Sequence, residues 1–162
     1  MKQHTLQLAA VEDTLALGAA LAKALQPPLT IYLSGELGSG KTTLVRGLAH
    51  ALGYAGPVRS PTYTLLERYD LGACTLLHLD LYRLADAAEL ELLGLRDELE
   101  PDAVCLVEWP ERGVGHLPPA DLVIVMQHRD GGRNATLSAS SAAGRDCLQV
   151  IGPSHAHEPT RQ

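Results

Sequence analysis

The residues at positions 33–44, LSGELGSGKTTL, combine the types and spacing that hold a phosphate chain. Gly35, Gly38, Ser39, Gly40, Lys41 and Thr42 match the pattern G-x-x-x-x-G-K-[ST]. Glycines there let successive backbone N–H groups converge on phosphate oxygens, and a helix opening near Lys41 adds its positive end. Lys41 is the expected partner of the β- and γ-phosphates, and the Thr42 hydroxyl of Mg²⁺. Nucleotide contacts are expected along Glu36, Leu37, Gly38, Ser39, Gly40, Lys41, Thr42 and Thr43. An apolar stretch precedes the loop and a helical pattern follows it, the context this motif requires.

Such a loop needs an acid at the end of a neighbouring strand to complete the metal site. Two apolar runs end in one: LLHLD, closing on Asp80, and VCLVE, closing on Glu108. The spacing alone leaves open which acid takes the metal and which takes water. After the phosphate-loop helix comes SPTYT, where Ser60, Thr62 and Thr64 offer hydroxyls to a switch that senses the γ-phosphate. The N-K-x-D loop of guanine readers is missing, which favours ATP. The transporter signature LSGGQ is also absent. A small-molecule kinase remains open, although its arginine-rich lid has only PERGVGH, with Arg112, as a candidate. No arginine stands out as a finger for charge developing on a phosphate.

The elements that must position these residues follow from the hydrophobic patterning. HTLQLAA reads as a strand, EDTLALGAALAKAL as a helix capped by Asp13 or Thr14 and stopped by Pro27-Pro28, and LTIYLS as a buried strand. TTLVRGLAHAL reads as a helix ended by Gly53. The segments from SPTYTLLERYDL to CTLLHLDLY form a hairpin across LGA. DAAELELLGL reads as a short helix with Asp86 and Glu89 as a capping box, and AVCLVEW as a strand. DLVIVMQ, NATLSAS and DCLQVIG read as three further strands, the last two joined across SAAGR. The expected fold class is α/β, a P-loop NTPase fold with a mixed sheet: parallel centre, antiparallel flanking strands, helices on the faces.

The chain has 162 residues, a length suited to one domain, expected over 1–152, with a disordered tail over 153–162. A net charge of −6 removes any general cationic field for nucleic acid. The cysteines Cys74, Cys105 and Cys147 form no C-x-x-C pair and read as core thiols of a reducing compartment. No apolar leader follows a basic start, and no run reaches membrane-span length, so a cytoplasmic location is expected. His78 sits in an apolar strand and reads as structural. His155 and His157 in the tail read as solvated.

Four motifs then converge. GELGSGKTTLVRG, SPTYTLLERY, HLDLYRL and LVEWPERG, in this order and spacing, resemble the bacterial TsaE (YjeE) family, small ATPases needed for threonylcarbamoyladenosine modification of tRNA. The likeness spans roughly residues 6–151. It implies ATP and Mg²⁺ as cofactors and two partner proteins, TsaB and TsaD, with tRNA reached only through that complex. It further implies slow hydrolysis by the chain alone, used to reset the partners' cycle. By resemblance, Lys41 binds phosphate, Thr42 and Glu108 hold Mg²⁺, and Asp80 positions or polarises water. Thr62 and Thr64 lie in the switch, Trp109 packs near the nucleotide or a partner, and Glu111 and Arg133 contact the nucleotide. A kinase, or a nucleotide-gated binding subunit without useful turnover, is the alternative.

Overall fold

The computed structural model describes residues 3–152. The tail with His155 and His157 lies outside the described residues.

Seven strands form one sheet in the order β1-β7-β6-β2-β5-β4-β3. They are β1 (Gln3–Leu8), β2 (Leu29–Gly35), β3 (Leu66–Asp70), β4 (Thr75–Asp80), β5 (Ala103–Glu108), β6 (Leu122–Arg129) and β7 (Gly132–Ala139). The pairs β6–β2, β2–β5 and β5–β4 are parallel. The pairs β1–β7, β7–β6 and β3–β4 are antiparallel. Every residue of β4 and β5 is buried, as expected of parallel strands covered on both faces.

The helices are α1 (Val11–Ala24), α2 (Lys41–Ala51), α3 (Glu89–Leu92), α4 (Leu95–Glu98) and α5 (Ala142–Ile151). One face of the sheet carries α1, α2 and α5. There Leu17, Leu21, Leu44, Leu48 and Leu148 bury against Ile31, Leu33, Val104, Leu106 and Ile124. On the other face Leu90 and Leu95, from the short helices α3 and α4, cover Leu77, Leu79, Cys105 and Val107. Helices α1 and α2 touch backbone to backbone. A Cβ on Gly18 would meet the Leu44 carbonyl oxygen at 2.4 Å, and one on Gly47 the Leu15 carbonyl oxygen at 2.4 Å. That contact presses α2, and the loop before it, onto the sheet.

Three local expectations are corrected. DCLQVIG is helix, not strand. Ser141 caps α5 by accepting from the Gly144 N–H at 3.1 Å, and Gly144, Cys147, Leu148 and Ile151 form its buried face. SAAGR is therefore the cap and first turn of a helix rather than a hairpin turn. The N-cap of α1 is Ala10. Asp13 sits three residues inside, its carboxylate accepting from the Ala10 N–H at 2.9 Å. The DAAELELLGL helix is interrupted at Gly94, in left-handed conformation at φ 69°, which separates α3 from α4. Asp86 does accept from a following N–H, but from Ala88 rather than through a box with Glu89.

Candidate nucleotide site

Because β2, β4 and β5 run parallel, their C-terminal ends share one edge of the sheet. After β2 the chain moves to one side to build β4 and β5, and later to the other to build β6. Ligands of open α/β sheets bind outside the strand ends where the direction of winding changes. A cavity of about 470 Å³ opens there, lined by the loop residues Leu37 to Thr43 together with Ser60, Thr62, Asp80, Glu108 and Trp109.

The loop folds as its glycines require. Gly38 and Gly40 have φ of 75° and 101°, conformations that side chains with a Cβ adopt rarely. Gly40 opens α2 without any side-chain cap, so the first N–H groups of that helix remain available to an anion. Ser39 Oγ is buried and has no hydrogen-bond partner among the described residues. The Lys41 ammonium is folded back onto the loop. It donates to the Gly35 carbonyl and, at 3.2 Å, to that of Glu36, and lies 4.4 Å from the centroid of the Trp109 ring. Burial holds its pKa below the usual lysine value, while the charges of Glu108, Asp80 and Glu111 pull in the other direction. Trp109 reaches over Lys41 from a left-handed backbone, φ 57°, a strained conformation for a tryptophan. It packs on Tyr82, with ring centroids 5.1 Å apart.

The two acids face each other across the β4–β5 ladder, Asp80 opposite Glu108. Asp80 is tied to the SPTYT loop: Ser60 donates to its Oδ2, as does Thr62 at 3.3 Å, and the Tyr82 N–H donates to Oδ1 at 3.0 Å. Glu108 is tied to the core, through His78 Nε2 at 2.6 Å from Oε2. Among the described residues no hydrogen bond reaches Oε1 of Glu108.

Most of the residues singled out in the sequence converge here, with exceptions. Thr64 turns away, its hydroxyl 3.5 Å from Glu67. Glu36 contributes its carbonyl, and its side chain does not line the cavity. Glu111 stays exposed in a 3-10 turn (Pro110–Gly113), close enough to act on Lys41 through its charge. Arg133 lies against the loop, donating to the Gly38 carbonyl at 2.8 Å. Arg112 stacks near Tyr82 and does not line the cavity. The sequence reading missed Val11, Thr14, Tyr82 and Arg83, which do line it. Arg83 packs on the ring of Tyr63, an exposed residue of the SPTYT loop, at 4.7 Å. His78 was read as structural, yet it touches Glu108. Its position two before Asp80 on one strand, hence on the same face, was the available signal.

The residues present fit a magnesium nucleotide. The uncapped helix start and the orphaned Ser39 hydroxyl offer donors to phosphate, while the free oxygen of Glu108 offers a hard ligand. Among the described residues no three His, Cys, Asp or Glu side chains cluster to hold a metal by themselves.

Fold and loop together define a P-loop α/β protein. Comparison with known proteins narrows the class. The family model described as "Threonylcarbamoyl adenosine biosynthesis protein TsaE" matches residues 8–135. The tRNA threonylcarbamoyladenosine biosynthesis protein TsaE of Haemophilus influenzae is 46% identical over 123 residues, covering 76% of this chain and 78% of that one. Its Bacillus subtilis counterpart is 38% identical, covering 86% and 87%. The crystal structure of Bacillus subtilis YdiB superposes with a TM-score of 0.79 at 30% identity, covering 93% of this chain and 94% of that one. The chain belongs to the TsaE family, whose name assigns it to tRNA threonylcarbamoyladenosine biosynthesis.

Proposed function

We propose that, within tRNA threonylcarbamoyladenosine biosynthesis, this chain is the subunit that binds and slowly hydrolyses ATP with Mg²⁺, acting with TsaB and TsaD to reset their cycle. The observation that carries this reading is the convergence of Lys41, Asp80 and Glu108 on one cavity at the uncapped start of α2.

When ATP binds, Lys41 exchanges the carbonyls of Gly35 and Glu36 for phosphate oxygens. A hydrogen bond to a charged group contributes about 1.5–3 kcal/mol, from which the carbonyl bonds given up in the exchange subtract. Thr42 and Glu108 would hold the metal, which would offset the negative charge of the phosphates. Asp80 orients the attacking water. Its present hydroxyl partners, Ser60 and Thr62, make its geometry depend on the SPTYT loop. Arg133 is bonded to the loop carbonyl of Gly38 and Arg83 is stacked on Tyr63. Neither guanidinium is bonded at the Asp80–Glu108 end, which supports completion of the site by a partner surface closing over SPTYT.

The test is steady-state phosphate release by the chain alone and with TsaB and TsaD added. Slow release that the pair accelerates is expected. Fast release indifferent to the pair would favour a self-sufficient ATPase or kinase. No release in either state, with nucleotide still bound, would leave a nucleotide-gated binding subunit.

A further inference from the structure

The hydrogen-bonding of Glu108 is asymmetric. Its side chain is almost wholly buried, at 3% exposure, and that of His78 beneath it is at 0%. Oε2 meets His78 Nε2 at 2.6 Å, within hydrogen-bond distance. His78 Nδ1 is buried and has no hydrogen-bond partner among the described residues. An unpaired N–H at Nδ1 would be the costlier orphan, so the proton belongs on Nε2, where it is donated to the carboxylate.

The backbone makes this contact specific. His78 pairs with Leu106 in the β4–β5 register, and Asp80 with Glu108. His78 and Asp80 therefore share the α1/α2 face of the sheet, and the imidazole reaches diagonally along the ladder to the Glu108 carboxylate. Asp80 has no such anchor in the core. Its partners are a backbone N–H and loop hydroxyls.

From this geometry we infer that His78 is a positioning residue for the magnesium site: by occupying Oε2 of Glu108, it locks the carboxylate rotamer and presents Oε1 to the metal. It acts through Glu108 and touches neither nucleotide nor metal. The inference rests on the reading above that Glu108 is a magnesium ligand. Outer partners of metal-bound groups typically set affinity by about 10–100-fold.

The experiment measures ADP affinity by calorimetry, in EDTA and across a Mg²⁺ titration, for the protein and for His78→Leu and His78→Gln. Thermal melting reports folding. Leucine fills space without a donor, whereas glutamine can return an N–H to the place of Nε2. His78→Leu should raise the Mg²⁺ concentration for half-maximal enhancement about tenfold or more, with ADP affinity in EDTA unchanged. His78→Gln should restore most of the loss. A folded leucine variant with unaltered Mg²⁺ requirement, or one that loses ADP affinity equally in EDTA, would overturn the inference and leave His78 as core packing. If the leucine variant does not fold, imidazole ¹⁵N spectra of the unsubstituted protein decide. A proton on Nε2 whose signal moves when Mg²⁺ joins bound ADP supports the role, and a proton on Nδ1 alone overturns it. Should the unsubstituted protein show no Mg²⁺ effect on ADP binding, the magnesium reading itself fails, even if the spectra still find Nε2 protonated.

Discussion

The tips of β4 and β5 are neighbours built to the same plan, an apolar buried strand closing on an acid, yet they hold their acids differently. Asp80 is held from above, by Ser60 and Thr62 of a loop and by the Tyr82 N–H. Glu108 is held from below, by a histidine in the core. A carboxylate anchored to the core keeps its place whatever the loop does, which suits a ligand that must be in position before the metal arrives. A carboxylate bonded to loop hydroxyls is free to change partners when the loop moves, which suits a group acting only once the site has closed. Two acids that the sequence leaves equivalent are thus distinguished by which part of the protein grips them.

The sharpest test of this contrast is Asp80→Asn, which keeps the shape and the Tyr82 contact but removes the charge. Partner-stimulated phosphate release should fall by about 10²–10⁴-fold, the usual range for a proton-handling group, while ADP affinity by calorimetry changes by less than about threefold. Glu108→Ala should behave conversely. ADP affinity in Mg²⁺ should drop towards the EDTA value, by at least the roughly 10–100-fold associated with perturbing a metal ligand's surroundings. If Asp80→Asn abolishes the Mg²⁺ effect and Glu108→Ala spares it, the two tips have exchanged roles.

A smaller effect is expected from Thr62→Ala. It removes one hydrogen bond to the Asp80 carboxylate which, being long at 3.3 Å, lies at the low end of the about 1.5–3 kcal/mol of bonds to charged groups. Stimulation by TsaB and TsaD should fall several-fold, with ADP binding unchanged. Equal loss of both would mean that the loop shapes the cavity rather than senses its contents.

The smallest effect concerns the opposite face of β5. Burial pushes the Cys105 thiol up to about 12 from 9.0. Below about pH 9 the thiol is protonated in both folded and unfolded chains. Between about 9 and 12 only the unfolded chain releases that proton, so stability falls as pH rises through this window. From pH 8 to pH 10, Cys105 should cost about 1 kcal/mol of unfolding free energy. Urea denaturation at both values, compared with Cys105→Ala, isolates it. No change in the difference would show that β5 is less firmly buried on this face than at its tip.

Legibility in the sequence followed the range of the interactions. The phosphate loop could be read because its parts are contiguous. Its glycines, Lys41 and Thr42 act through local backbone geometry, and the strand before and helix after confirm the context within a few residues. Buried parallel strands could be read from unbroken apolar runs, and with them the acids at their ends. Helix α5 reads as a strand because Cys147, Leu148, Val150 and Ile151 make a short apolar run, whereas the helix buries Cys147, Leu148 and Ile151 and exposes Val150. What favours the helix is Ser141 at its start, and Gly144 packed against the chain before β6, where a Cβ would lie 1.8 Å from the Asp121 carbonyl oxygen.

By itself, then, the amino-acid sequence determined the phosphate loop, the two candidate acids, the α/β class and, through four motifs, the family. These rest on local spacing and on types of residue that admit few substitutes. Tertiary structure alone decided that Arg83 reaches the cavity, that Thr64 turns away from it, and that His78 grips Glu108 rather than Asp80. His78 and Glu108 are 30 residues apart. Their contact exists only because β4 and β5 pair in parallel with Asp80 opposite Glu108, and a register shift of one residue would turn the side chains of one strand to the other face.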